Sequence, residues 1–509
     1  MFFPVYSKVK DCLYMGYALY YCLANRKGLV MRYKFKYEPY AHQLEVLERS
    51  WNKEFYALFM DMGTGKSKVL IDTIAMLYDK GRINSALIVA PKGVYKNWER
   101  KELPMHLPEH IKAKIITWSP EKTKKKKEEL DQLFDITDDL VIFLMNVEAF
   151  SSKRGKEIAH SFVKTHHTLL AVDESTTIKS KSASRTKNLI KLAREARYRR
   201  ILTGSPVTQS PMDLFTQCEF LEPECLGHSS FWTFQNRYAK MVRRSLGAHS
   251  FNQIVGYQNL TELNQIMSPY SYRVRKEDCL DLPDKVYVKR SVELSSEQLI
   301  VYQQLRNNAL AILKGGGMVT APTALTEILR LQQVCSGYAK LEDGTVETLP
   351  TKKMPELLSV LEETSGKVII WANFTYDLEQ IYKELTEKYG EGTCALFYGA
   401  TETEERQNIV ERFQDPKNPL KYFIGQPRTG GYGLTLTEAN TVIYYSNGYD
   451  LEVRLQSEDR AHRIGQTNKV TYIDIVAEST VDEKILKALR GKIDISTQVL
   501  AEGYKEWLV

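Results

Sequence analysis

The sequence has no CxxC pair and no group of histidines at metal-ligand spacing. Its seven cysteines (Cys12, Cys22, Cys218, Cys225, Cys279, Cys335 and Cys394) are an odd, scattered set along 509 residues. A disulfide framework and a zinc site are therefore not expected, and a reducing compartment fits. Long apolar runs are missing too. Leu13 to Ala24, the longest near the start, is too short to span a bilayer. Lys8 and Lys10 resemble the basic flank of an export signal, but Asp11 interrupts it and tyrosines crowd the run, so neither export nor membrane attachment is expected. Met31 offers an alternative start, and the cytoplasm is the expected location. Strong charge of one sign is also absent. A net charge of +7 permits a polyanionic partner without requiring one. With 43% hydrophobic and 26% charged residues, the balance is that of a globular chain rather than a disordered or fibrous one.

Near-continuous apolar runs recur at 57–60, 86–90, 140–144 and 169–172, separated by amphipathic stretches such as Lys66 to Tyr78. Runs apolar on both faces suit a parallel sheet covered by helices on each side. The rhythm returns at 368–372, 394–398, 422–424, 442–445 and 472–476, with helical patterns over Tyr376–Lys388 and Glu402–Phe413. The fold class read from this is α/β: two parallel-sheet lobes with helical insertions between them. The expected divisions are an N-terminal extension (1–37), a first lobe (38–214), a helical insertion (215–285), a linker with a second helical insertion (286–365), a second lobe (366–490) and a tail (491–509). Lys122 to Lys127 is followed at once by Glu128 and Glu129, which reads as a solvated helix face.

The sharpest motif is Met62-Gly63-Thr64-Gly65-Lys66-Ser67, between an apolar run and an amphipathic helix. Glycines let backbone N–H groups converge on phosphate oxygens, and the helix start adds its positive end. Lys66 would pair with the β- and γ-phosphates of ATP, and the Ser67 hydroxyl would ligate Mg²⁺. Met60 stands where the general P-loop pattern wants Gly, so a chance glycine turn competes. Asp173-Glu174 closes a later apolar run. Acids there are costly unless they bind a cation or do chemistry. Asp173 is placed to hold Mg²⁺ through water, and Glu174 to activate the attacking water. Thr203-Gly204-Ser205 follows another short run and could sense that acidic pair; a plain turn competes.

In the second lobe, Gln456, Arg460 and Arg463 are spaced i, i+4, i+7, so on a helix they share one face. Adjacent guanidiniums call for an anion, and a γ-phosphate across the cleft would make them arginine fingers in cis. A surface ion-pair face with Glu458 and Asp459 is the competing reading. Arg428 to Leu434 is a Gly-rich stretch whose amides could grip a nucleic-acid phosphate, or serve as an ordinary loop. Lys187, Lys191 and Arg194 form one helical stripe followed by Arg199-Arg200; these are DNA-contact candidates set against a solvated face.

Taken in order from about Tyr37 to Ile485, these segments resemble the motor core of superfamily-two helicases, and within it the SWI/SNF-type DNA translocases. Tyr40 with His42-Gln43 looks like the adenine-reading motif, and APKGVYKNW (90–98) like the DNA-contacting motif after the P-loop. LPDK (282–285) with Gln298 and Tyr302 resembles the inter-lobe linker, and LRLQQVC (329–335) a helix before the second lobe. VIIWANF (368–374), YGATETEERQNIVERFQ (398–414), TGGYGLTLTEANTVI (429–443) and QSEDRAHRIGQ (456–466) complete the series. Met60-Asp61 and Ser67 depart from the usual P-loop wording, and 446–456 lacks the usual Trp-Asn-Pro signature.

The resemblance implies two RecA-like lobes that hydrolyse ATP with Mg²⁺ and walk along double-stranded DNA. It implies ATP contacts by Gln43 and Met62–Ser67, catalysis by Lys66, Glu174, Gln456, Arg460 and Arg463, and coupling by Thr203, Gly204 and Ser205. Nucleic-acid contacts would come from Lys92, Asn97, Trp98, Thr429 and Gly430. A protein partner would set targeting. A strand-separating DNA or RNA helicase and an ATP-gated clamp without turnover are the rival functions; a restriction motor lacks a nuclease motif.

Overall fold

The computed structural model describes residues 30–92, 94–121, 123–135, 137–246, 249–280, 282–314, 321–341, 343–430 and 434–499. The Leu13–Ala24 run, most of the N-terminal extension, Cys12, Cys22 and the end of the C-terminal tail lie outside them. Among the described residues no helix is long and apolar enough to cross a membrane.

The first strands are β1 (Phe55–Met60), β2 (Ser85–Ala90), β3 (Ala113–Thr117), β4 (Leu140–Asn146), β5 (Thr168–Asp173) and β6 (Tyr198–Thr203). An antiparallel pair follows, β7 (Ala239–Leu246) and β8 (His249–Tyr257), then β9 (Ser271–Val274) and β10 (Lys285–Val292). A short pair, β11 (Tyr338–Lys340) and β12 (Val346–Thr348), precedes β13 (Lys367–Trp371), β14 (Cys394–Phe397), β15 (Tyr422–Gly425), β16 (Ala439–Tyr444) and β17 (Val470–Ala477). Both large sheets are wholly parallel. One runs β3-β4-β2-β5-β6-β1-β9 and the other β10-β17-β16-β13-β15-β14.

The chain forms two compact units, one on each sheet. Among the described residues, the first holds those through Gly204 with Thr216–Cys225 and Met267–Arg275; the second holds Ser205–Phe215, Leu226–Ile266 and those from Lys276 onward. In the first, β2, β4 and β5 are almost completely buried along their lengths, as apolar runs without alternation require. In the second, period-two alternation divides each strand between two cores. Val368, Ile370, Ile424 and Ile443 face one core, and Ile369, Trp371, Phe423 and Val442 the other. Each fully buried side chain of this size contributes roughly 1.5–3 kcal/mol.

Three expected divisions need correction. Residues 215–285 are not a helical insertion throughout, because 239–257 forms the β7–β8 hairpin and β9 pairs with β1 in the first sheet. The first lobe therefore extends past 214. The second sheet likewise begins at Lys285, where β10 pairs with β17, rather than at 366. β9 has four residues and β10 is a half-buried edge strand, so neither carries a long apolar run. Lys124–Asp131 is a helix whose Lys124–Glu128 pair is solvent-exposed, a solvated face as expected.

Candidate functional site

In the first unit, β1 leads through a tight turn into the helix Lys66–Asp79. Gly63 and Gly65 take φ of 85° and 89°, a region that side chains with a Cβ rarely adopt. A Cβ on Gly65 would also collide with the Gln43 amide nitrogen. Gln43 is buried and braces this turn. Its Nε2 donates to the Thr64 carbonyl at 3.1 Å, its Oε1 accepts from the Tyr40 N–H at 3.0 Å, and His42 Nε2 lies 2.8 Å from the same Thr64 carbonyl. Gly65 brings no capping side chain, so the N–H groups of the first helical turn, beside Lys66 and Ser67, suit an anionic ligand.

β5 delivers the acidic pair to the same place. Lys66 Nζ lies 3.8 Å from Glu174 Oε1, with both residues largely buried. Asp173 Oδ2 accepts the Trp98 indole N–H at 3.0 Å, and Oδ1 accepts the Glu174 peptide N–H at 3.0 Å. Burial, then the neighbouring Glu174 charge, pushes the Asp173 carboxyl up to about 7, while Lys66 and Trp98 act against that rise. A buried carboxyl held there ionises fully when a cation joins it, so Asp173 and Ser67 fit a Mg²⁺–nucleotide. Glu174 adopts φ 48°, an uncommon conformation for a residue with a side chain, and such outliers concentrate at functional positions.

Thr203 closes β6 and is buried beside β1. A Cβ on Gly204 would sit 3.3 Å from the Met60 carbonyl oxygen and the Met62 nitrogen, so glycine eases the close approach of the end of β6 to the 62–67 turn. Arg273 on β9 joins the two segments. Its Nη2 pairs with Asp61 at 2.9 Å and its Nη1 donates to the Gly204 carbonyl at 2.8 Å. Nothing in the four-residue strand around Arg273 advertises this role. Ser205 begins the stretch assigned to the second unit.

In the second unit the arginines meet by a different route from the one their spacing predicts. The helix Leu451–Glu458 ends before Arg460, so Gln456, Arg460 and Arg463 do not share a helix face. They converge in the turns that follow. Arg460 Nη1 and Arg463 Nη1 donate to the same Leu434 carbonyl at 3.2 and 3.1 Å, and Arg460 Nε donates to the Gln456 carbonyl at 3.0 Å. Behind them Glu458 is buried, taking hydrogen bonds from Arg454 (2.8 Å), Tyr287 (2.8 Å) and Lys285 (3.3 Å). Asp459 is held by Lys276 at 2.5 Å. These two acids therefore anchor the turn against other cations rather than form an exposed ion-pair face.

The expected nucleic-acid residues divide. Lys92 is exposed, and Asn97 is half-buried with its amide 3.4 Å from Glu102. Trp98 is 1% exposed and donates its indole N–H to Asp173, so its ring is packed in the core and presents no open face to a nucleic acid. Arg199 and Arg200 are also buried, Arg199 paired with Glu222 at 2.7 Å and Arg200 donating to the Ser50 and Lys53 carbonyls at 2.8 and 2.7 Å. They are structural, not DNA contacts. Thr429 and Gly430 lie in a helical turn, Pro427–Gly430, with Thr429 Oγ1 3.4 Å from Gln426. Gly431 and Gly433 fall outside the described residues.

Comparison with known proteins adds the family. The SNF2-related domain matches residues 42–339, and the helicase conserved C-terminal domain matches 351–465. The chain is similar to an uncharacterized ATP-dependent helicase of Mycoplasma pneumoniae, 27% identical over 87% of this chain and 40% of that one. It is also similar to a probable ATP-dependent DNA helicase of Arabidopsis thaliana, CHR23, 26% identical over 91% of this chain and 43% of that one. Among solved structures, the SWI2/SNF2 ATPase core of Sulfolobus solfataricus in complex with dsDNA is 23% identical, with a TM-score of 0.41, over 92% of this chain and 94% of that one. The chain spans less than half the length of these curated relatives. With a matching family model over more than half of its residues, the chain belongs to the SNF2-related family.

Proposed function

We propose that this chain is a DNA-dependent ATPase that converts ATP hydrolysis into movement along double-stranded DNA. The observation that carries the ATPase reading is the cluster of Lys66, Asp173 and Glu174 around a glycine-bent turn at a helix start. Lys66 and the turn 62–67 hold the phosphates, and Gln43 fixes the shape of that turn. Glu174, beside Lys66, orients the attacking water and takes its proton. Magnesium, which Ser67 and Asp173 would hold, supplies neutralisation of phosphate charge. Arg460 and Arg463, steadied by Gln456, supply positive charge to the γ-phosphoryl as it departs.

Thr203, Gly204 and Ser205 pass the state of the acidic pair onward. Lys92, Asn97, Thr429 and Gly430 touch nucleic-acid phosphates, which carry no sequence information. Membership of the family, and the DNA helicase relative, support DNA as the track. A partner protein sets the target, and the cytoplasm is the proposed setting.

The test is ATPase stimulation by duplex DNA, single-stranded DNA and RNA, with triplex displacement as the assay of movement. Strongest stimulation by duplex DNA with displacement is the expected result. Strongest stimulation by RNA would replace the proposal with an RNA helicase. A Glu174→Gln variant that retains full turnover would remove Glu174 as the base.

A further inference from the structure

We infer that the β7–β8 ribbon is a second duplex-DNA contact, separate from the segments around Lys92 and Thr429. This inference rests on the DNA reading above. The ribbon belongs to a stretch without acid: no Asp or Glu occurs between Glu224 and Glu262. Along β7 side chains alternate, so Lys240, Val242 and Arg244 share one face, and cross-strand pairing adds Gln253 and Phe251 to it. All five are exposed, Phe251 at 53% and Val242 at 42%. Arg243 points from the opposite face and is exposed as well.

The cations on this ribbon are uncompensated. Arg243 reaches only the Ser250 hydroxyl at 2.9 Å, and Arg244 the Gln253 amide oxygen at 3.3 Å; neither they nor Lys240 meet a carboxylate among the described residues. Arg237, just before the ribbon, is by contrast paired with Glu262. A fully hydrated cation needs no partner, but three on a narrow ribbon beside an exposed aromatic ring and an exposed valine are complementary to a polyanion with apolar edges. Duplex DNA is that partner. Its major groove, about 12 Å wide, admits a two-stranded ribbon and presents phosphates on both sides, which suits cations on both faces. Phe251 and Val242 then meet sugar and base edges. A register shift at Lys240/Met241 bends and twists the ribbon, as groove-following strands require.

The test uses the full chain and a mixed-sequence duplex. The variant Lys240→Gln/Arg243→Gln/Arg244→Gln should keep its thermal midpoint, since no ion pair is lost. Its plot of log binding constant against log salt should be less steep by about 3, one unit per phosphate released. Single substitutions should each give about one third of that change. In a separate variant, a photoreactive benzoyl-phenylalanine at position 251 should cross-link to the duplex. An unchanged slope with no cross-link, in a protein whose ATPase the duplex still stimulates, overturns the ribbon contact and leaves the DNA reading standing. A parent protein that neither binds nor responds to duplex overturns both. Triple-variant loss of binding to polyglutamate, with duplex binding intact, would reassign the ribbon to an acidic protein.

Discussion

At Asp173 the two carboxyl oxygens are held by one indole N–H and one peptide N–H. Trp98→Phe keeps most of the ring volume and deletes the indole donor. A hydrogen bond to a charged group is worth about 1.5–3 kcal/mol, so steady-state kcat should fall by about tenfold or more with a smaller change in KM for ATP. A second buried acid makes a pH prediction. Asp377 accepts from the Ser336 and Ser446 hydroxyls at 3.0 and 3.1 Å, its other oxygen is buried without a partner, and burial pushes it up to about 7 against the pull of Lys353. The folded state therefore binds the proton more tightly than the unfolded chain. Its contribution is present below about pH 4 and is lost as pH rises through about 7. Asp377→Asn cannot ionise, so it should gain on the parent by about 4 kcal/mol at pH 8 and by little at pH 4, read from denaturant unfolding. That Lys66 and Ser67 open a helix and that Glu174 follows a strand was legible because each stands in a short local pattern. The burial of Trp98 was not legible, because this helical residue meets Asp173 on a strand far off in sequence and leaves no local mark.

At the level of elements, period and composition served well wherever burial is complete. The amphipathic pattern over Lys66–Tyr78 became the helix Lys66–Asp79, and the central strands fell on the continuous apolar runs. Edge elements escaped, since β9, β10 and the hairpin are short or half-exposed. The helix carrying Gln456 shows another limit: spacing predicts a shared face only while the helix lasts, and it stops at Glu458. Two predictions belong here. Gly65→Ala places a Cβ against Gln43 at a positive φ, so nucleotide affinity measured by fluorescent ATP analogue should fall at least tenfold. Arg460 is 1% exposed and bonded to two carbonyls, whereas Arg463 is half-buried. Arg460→Ala should cost about 2–3 kcal/mol of stability as well as turnover. Arg463→Ala should lose turnover with little shift in thermal midpoint.

For the molecule as a whole, two sheets in two units were expected, but the way the chain is shared between them was not. Residues 216–225 and 267–275 belong with the first unit, while the stretch between them belongs with the second. Contiguous divisions cannot express that. The second sheet takes its outer strand from Lys285–Val292, ahead of the residues 351–465 matched by the helicase C-terminal domain. A fragment beginning at 351 should aggregate, because β17 would expose a row of unpaired N–H and C=O groups; one beginning at 282 should remain monomeric by light scattering. The pairing of Lys285 with Val470 also sets an order of events during synthesis. β10 leaves the ribosome early and waits for β17, so the closing of this sheet is among the last steps of maturation, and a stalled or prematurely terminated chain carries a strand with no mate.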